Sequence, residues 1–266
     1  MFKIDKDLNN IPSSLLSLPT HQKRQKHIAA KKYITGSRYN ESYKEKDIKE
    51  TLEKIHYNKC VYCEVWVEEY HIEHFRPKSI YYWLAYSWDN LLLACPTCNR
   101  SKLDQFPCKN ANCTTLPQDI DPTDTSEENI KKINLLSEEL NRQEQPLLIN
   151  PELESPIGKL QFEENGTIKS SDERYTETIN VCKLNRNKLT LLRKKIFDDL
   201  INKIKAELVT SDSIQEQCKN ISKLFNEIKR KSLDRSECLL TLLVYISENF
   251  HEIVSKNILK CCLLYT

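Results

Sequence analysis

The apolar positions of the chain follow three regimes. Over residues 41–55, Ile48, Leu52 and Ile55 recur at spacings of four and three, the period of one helical face. Over residues 56–107 that period is lost. Aromatic residues crowd together, and two short apolar runs read as strands: one ends at Glu73-His74, the other covers residues 90–94. A helix is expected to follow from about Asn99. Further on, Ser126 starts a helix as its cap, and residues 145–169 read as a loop and short hairpin turning at Asn165-Gly166. From Leu189 the helical period returns for good. Leu189, Leu192, Ile196, Leu200, Ile204 and Leu208 form one stripe, repeated over residues 214–228 and 239–258.

The pattern predicts an N-terminal helical segment (1–55), a compact unit of different character (56–107) and a mainly helical C-terminal region (108–266), the last a candidate partner-docking surface. Composition agrees with helices: only 3 Gly among 266 residues is too few for a barrel or sandwich rich in tight turns. Charge narrows the function classes. Forty Lys+Arg against 38 Asp+Glu leave +2, so any grip on an anionic polymer must be local or borrowed. The first ten residues carry charges where a signal peptide has its apolar stretch. The longest nearly apolar run, 239–246, falls far short of the ~20 residues a bilayer requires. A cytoplasmic protein with no membrane partner is expected. Its 11 cysteines, an odd number, then read as thiols or metal ligands rather than disulfides.

Four cysteines stand out. Cys60-x2-Cys63 is followed, 31 residues later, by Cys95-x2-Cys98. Each pair makes a tight knuckle with two thiolates on one face, and two knuckles complete a tetrahedral zinc site. Such a site is structural, because four protein thiolates leave no position open. Cys108 and Cys113 have no matching pair, Cys182, Cys218 and Cys238 fall in helical patterns, and Cys261-Cys262 carries no interpretation.

Between the knuckles lies His71-Ile72-Glu73-His74-Phe75-Arg76-Pro77-Lys78, then Trp88-Asp89-Asn90-Leu91-Leu92-Leu93, and the second knuckle runs into Asn99-Arg100-Ser101-Lys102. An acidic residue before His, Asn ahead of an apolar strand, and Asn just past CxxC resemble the HNH endonuclease motif. The longer run, with Leu147 to Pro151, Thr178-Ile179 and Leu184-Asn185-Arg186, resembles the HNH subunits of Septu antiphage systems (the PtuB family) and HNH effectors carried by some retrons. The resemblance implies an α+β fold: a zinc-stapled ββα-metal finger embedded in a mostly helical protein. It implies phosphodiester hydrolysis with His74 as general base, Glu73 and Asn99 holding Mg²⁺ or Mn²⁺, and Asn90 orienting the loop that bears the histidine. Glu73 replaces the commoner Asp and Asn99 the commoner His. Adjacent strand residues face opposite ways, so Glu73 and His74 share a site only where the strand ends or bulges. Asn99 is equally suited to cap a helix. Arg76, Arg100 and Lys102 are candidate phosphate contacts, or plain surface charge; His71 is a weaker candidate, for a place flanking the metal.

The aromatic cluster Tyr81, Tyr82, Trp83, Tyr86 and Trp88 suits base stacking or, for most of it, a core. Residues 56–107 hold five basic and six acidic residues, so the unit is slightly acidic. Lys23-Arg24-Gln25-Lys26 with Lys31-Lys32, and residues 186–205 with seven basic and two acidic residues, are either patches for nucleic acid or solvated helix faces. The resemblance implies a partner, an ABC/SMC-like ATPase (PtuA in Septu systems), or in retrons a reverse-transcriptase module. No GxxxxGK[ST] run is present, so ATP handling lies outside this chain. The contrasting reading is a non-catalytic zinc module that binds nucleic acid or a protein.

Overall fold

The computed structural model describes residues 1–36, 42–210 and 213–264, the side chains at 210 and 259–264 excepted. The side chains of the Cys261-Cys262 pair and residue 41, the start of the 41–55 pattern, therefore lie outside what is described.

Three helices open the chain: α1 (Ser13–Leu16), α2 (Leu18–Ala29) and α3 (Lys46–His56). Ser17 caps α2, its hydroxyl accepting from Thr20 N, with a proline in the first turn. Tyr57 closes α3 in the left-handed region at φ 53°. The irregular start is not peripheral. Met1, Phe2 and Ile4 are buried in the main core, and Lys6 Nζ donates to the carbonyls of Trp88 and Leu91 at 2.7 and 2.6 Å.

Strands β1 (His71–His74) and β2 (Leu91–Ala94) pair antiparallel, His71 opposite Ala94 and His74 opposite Leu91. Helix α4 (Pro96–Lys102) follows directly, completing a ββα unit. Leu-Leu-Leu-Ala suits a strand covered on both faces. Leu91 and Leu93 join Ile72 in a core shared with Ile11, Leu15, Ile48 and Leu52 from the N-terminal helices. Leu92 and Ala94 face the other way, into a core with Cys60, Phe75 and the C-terminal helices. Two boundaries differ from expectation. Asn90 belongs to a 3₁₀ turn (Trp88–Asn90) ahead of β2, and α4 begins at Pro96 rather than near Asn99. Cys95 takes the cap, its Sγ accepting from Cys98 N at 3.3 Å, and proline is at home in the first helical position.

The C-terminal region is helical, with one small hairpin. In order come α5 (Glu127–Ile133), capped by Ser126, α6 (Ser137–Glu144), β3 (Gln161–Phe162), β4 (Ile168–Lys169) and α7 (Glu173–Val181). Then follow α8 (Asn187–Thr210), α9 (Ile214–Ser232), α10 (Leu240–Glu248) and α11 (Phe250–Leu264). Gly166, at φ 87°, turns the hairpin against α8 so closely that an added Cβ would lie 1.9 Å from Thr190 O. The single stripe expected over 239–258 is two helices. Asn249 breaks it, its side chain donating back to Tyr245 O at 2.8 Å while the backbone leaves helical angles. Helices α8, α9 and α10 enclose a groove of about 330 Å³ with the half-exposed Trp66 at its edge. Among the described residues no helix is long and apolar enough to cross a membrane.

Candidate active site

The two knuckles converge. The ligand atoms of Cys60, Cys63, Cys95 and Cys98 all lie within 4.8 Å of one another, and Cys63 Sγ and Cys95 Sγ are 3.9 Å apart. A tetrahedron with Zn–S bonds of ~2.3 Å has edges of about 3.8 Å, so the donor set and its spacing suit a structural zinc. The first knuckle is shaped by Glu64, in the left-handed region at φ 61°, whose N–H returns to Cys60 O at 2.9 Å. Val61 N bonds Leu93 O at 2.9 Å, tying the knuckle to β2. A further residue completes the cluster. Arg186, just before α8, points its guanidinium at Cys98 Sγ (3.3 Å) and Cys95 Sγ (3.9 Å). A cation there offsets the excess negative charge of four thiolates around one divalent ion.

On the other side of the unit, β1, α4 and the N-terminal segment line a cavity of about 730 Å³. His71, Glu73, His74 and Asn99 all contribute to its wall, and β1 ends at His74 without a bulge. His71 and Glu73 share the strand face turned to α4. Asn99, inside the helix and not its cap, meets His71 there, the amide nitrogen 2.7 Å from Nδ1. Glu73 is buried, with Lys102 Nζ of α4 at 2.7 Å from Oε1. Burial pushes its carboxyl pKa up against the pull of Lys102. A carboxylate, an amide and open cavity beside them make an oxygen donor set of the kind a hard divalent cation takes while keeping several waters.

His74 faces the opposite way, toward the N-terminal helices. Its Nε2 is 3.0 Å from Ala85 O, and a carbonyl only accepts, so Nε2 carries the proton and the basic lone pair is on Nδ1. Burial first, then the charge of Lys78, pushes the His74 pKa down to about 3, well below the near-neutral value expected of an ordinary histidine. The imidazole is neutral throughout the physiological range. Asn90, fully buried, clamps the loop after His74: its Oδ1 accepts from Arg76 N (2.7 Å), and its Nδ2 donates to Arg76 O (3.0 Å) and Leu84 O (3.2 Å).

The basic residues are not where surface reasoning put them. Arg76 is fully buried, paired with Glu144 (2.9 Å) and Asn141 (2.7 Å) of α6, and so does not reach a phosphate. Lys102 is equally buried, holding Glu73 and, at 3.0 Å, His74 O. Of the three candidate phosphate contacts, Arg100 alone is exposed, folded back onto Pro96 O at 3.3 Å. Nor are the arginines of the two basic stretches solvated. Arg24 is buried, with Nη2 donating to Tyr86 O at 3.0 Å, and Arg193 is buried against Gly166 O at 2.7 Å. The basic residue that does line the cavity beside His74 is Lys78, with Tyr43 next to it. Its only sequence signal was its place four residues after His74. Most of the aromatic cluster is core: Tyr81, Trp83, Tyr86 and Trp88 are buried and only Tyr82 is half-buried.

Residues 60–105 match the family model described as HNH endonuclease. The chain is 36% identical to Septu protein PtuB of Bacillus mycoides (strain KBAB4) over 179 residues, 60% of this chain and 54% of that protein. It is 26% identical to Septu protein PtuA of the same strain over 178 residues, 61% of this chain and 22% of that protein. Septu protein PtuB of Bacillus thuringiensis is 44% identical over 59 residues, 21% of this chain and 23% of that protein. The chain thus spans about half, or less, of the length of these curated relatives. No solved structure matches it.

Proposed function

We propose that this chain, whose residues 60–105 match the HNH endonuclease family model, hydrolyses phosphodiester bonds of nucleic acid as the nuclease component of a Septu-type defence system. The observation that supports the reading is that Glu73, His74 and Asn99 all line one cavity, on elements whose other side carries the four cysteines. In this mechanism Nδ1 of neutral His74 takes a proton from water as the water oxygen bonds to phosphorus. The bond from phosphorus to the leaving oxygen breaks, its electron pair stays on that oxygen, and the oxygen is protonated by solvent. Ala85 O holds the imidazole in the tautomer that can do this, and Asn90 fixes the loop between them. Glu73 and Asn99 would hold Mg²⁺ or Mn²⁺, which supplies stabilisation of the charge on phosphate and leaving oxygen. The four cysteines would hold a structural zinc that ties the start of α4 to the first knuckle.

The similarity to a stretch of the much longer Septu protein PtuA supports a working association with the remainder of such a protein, read here as an ABC/SMC-like ATPase subunit. The helical C-terminal region, with its groove beside Trp66, is the surface offered to it. The test is cleavage of DNA and RNA by the full chain, alone and with its ATPase, with Mg²⁺ or Mn²⁺. His74→Ala should abolish cleavage while zinc content and melting temperature stay put. A wild type that cleaves neither polymer under any of these conditions leaves the non-catalytic zinc module as the correct reading.

A further inference from the structure

We propose that Lys78 is the anion-binding cation of this cavity, taking a non-bridging oxygen of the phosphate on which His74 acts, and that Tyr43 holds it in place. The proposal rests on the nuclease reading for its substrate and on local geometry for its site. Lys78 follows Pro77, whose carbonyl accepts from Ile80 N (3.0 Å) and Tyr81 N (2.8 Å), and the backbone before it is the part clamped by Asn90. Its base is therefore rigid. Its side chain runs between two rings, Nζ lying 4.6 Å from the centroids of both Tyr33 and Tyr43, and donates to Tyr43 Oη at 2.8 Å. The Tyr43 ring also stands edge-on to the His74 imidazole, centroids 4.7 Å apart. One tyrosine thus positions both the base and the ammonium.

What the ammonium lacks is an anion. Among the described residues no carboxylate lies within 4.0 Å of Lys78 Nζ. The other buried cations of this unit are held: Arg76 by Glu144, Lys102 by Glu73, and Lys59 by the carbonyls of Arg235 and Glu237 at 2.5 and 2.8 Å, while Arg100 is exposed and is not among the residues that line the cavity. Ring faces and a hydroxyl attract an ammonium and fix its direction but leave its charge uncancelled. A half-buried, directed, uncancelled cation at the wall of an open cavity is a receptor for an anion. Its field already reaches the site, since its charge helps keep His74 neutral and opposes the upward shift at Glu73.

Lys44 and Lys49 line the same cavity, as do Glu68, Glu69 and Asp104. In the proposed complex one phosphate of the strand sits between Lys78 and the Glu73–Asn99 pair. There Lys78 transfers no proton. It neutralises charge that grows on a non-bridging oxygen as water adds and the leaving oxygen departs, an effect largest in the transition state.

The test uses the full chain and Lys78→Met, which keeps the stem between the rings and removes the charge. Cleavage is read as kcat/KM on the same DNA and RNA oligonucleotides. Binding is read by fluorescence anisotropy in the His74→Ala background across a salt series. Lys78→Met should lower kcat/KM on the order of 100-fold, mostly in kcat. It should also reduce the slope of log affinity against log salt by about one, the signature of one lost phosphate contact. Tyr43→Phe, which keeps the ring and removes the tether, should cost roughly 10-fold. A phosphorothioate at the contacted oxygen should slow the wild type and barely affect Lys78→Met. Lys78→Met cleaving within about two-fold of wild type with an unchanged salt slope, while His74→Ala is dead, overturns the role of Lys78 and leaves the nuclease reading standing. If the wild type cleaves nothing, the nuclease reading falls, and an unchanged slope on Lys78→Met then overturns the anion site as well.

Discussion

The four-cysteine cluster and the cavity below His74 are served by the same β1, β2 and α4, yet they are finished in opposite ways. At the cluster, every donor is a thiol, the donors face one another, and Arg186 closes the outside. At the cavity, the donors are a carboxylate, an amide and imidazoles. They surround open space, and a lysine with no carboxylate partner among the described residues looks into it. A saturated soft-ligand shell makes a fastener, and an unsaturated hard-ligand shell makes a place for chemistry. Two adjacent residues of α4, Cys98 and Asn99, belong one to each.

If that division is right, damage at the two places should separate cleanly. The largest effect belongs to Cys98→Ser. Zinc content should fall from one equivalent toward zero by elemental analysis, and the cooperative melting transition should drop by more than about 10 °C or vanish, because the binding energy of structural zinc is folding energy. Next comes His74→Ala, which should lose about 10²–10⁴-fold in cleavage with zinc and melting temperature unchanged. A zinc-free His74→Ala protein, or a fully active Cys98→Ser protein, would break the comparison. Arg186→Ala tests the boundary. It should weaken zinc retention about 10- to 100-fold, read by competition with a chromophoric chelator, and slow cleavage only in proportion to zinc lost.

The smallest effect concerns the frame that carries both. Glu152 is buried, paired with Lys6 at 2.9 Å, and burial raises its pKa to about 7. A carboxyl whose folded pKa lies above its unfolded one adds stability below the unfolded value and loses it as pH climbs through the folded value. The stability of wild type relative to Glu152→Gln should therefore fall between pH 5 and 8, by roughly 1 kcal/mol or somewhat more since Lys6 shares the titration. Urea unfolding at several pH values reads it, and a flat or rising difference would show that Glu152 does not titrate in this window.

Legibility in the sequence followed the range of the interactions. Knuckle spacing, the strand of three leucines, the Ser126 cap and the α8 stripe are local, and each appeared where its pattern placed it. Arg24, Arg76 and Arg193 were opaque because their acceptors, Tyr86 O, Glu144 and Gly166 O, lie 27 to 68 positions away along the chain. A local reading counts such residues as charge, whereas the fold uses them as internal donors. Lys78 shows the converse: one lysine among many by composition, it is set apart by Tyr33 and Tyr43, which precede it by dozens of residues. The early start of α4 follows from a cysteine serving as cap while also completing the cluster.

Helical pitch gives that last feature a further consequence. Successive residues of an α-helix are turned by about 100°, so the direct succession Cys98-Asn99 sets the angle between thiol and amide as a gear sets two shafts. A residue inserted between them would swing the amide about a quarter-turn away from His71, whatever became of the thiol. Lengthening the loop from Cys63 to His71 alters no such phase. Length variation among relatives should therefore collect in that loop, and α4 should keep its count.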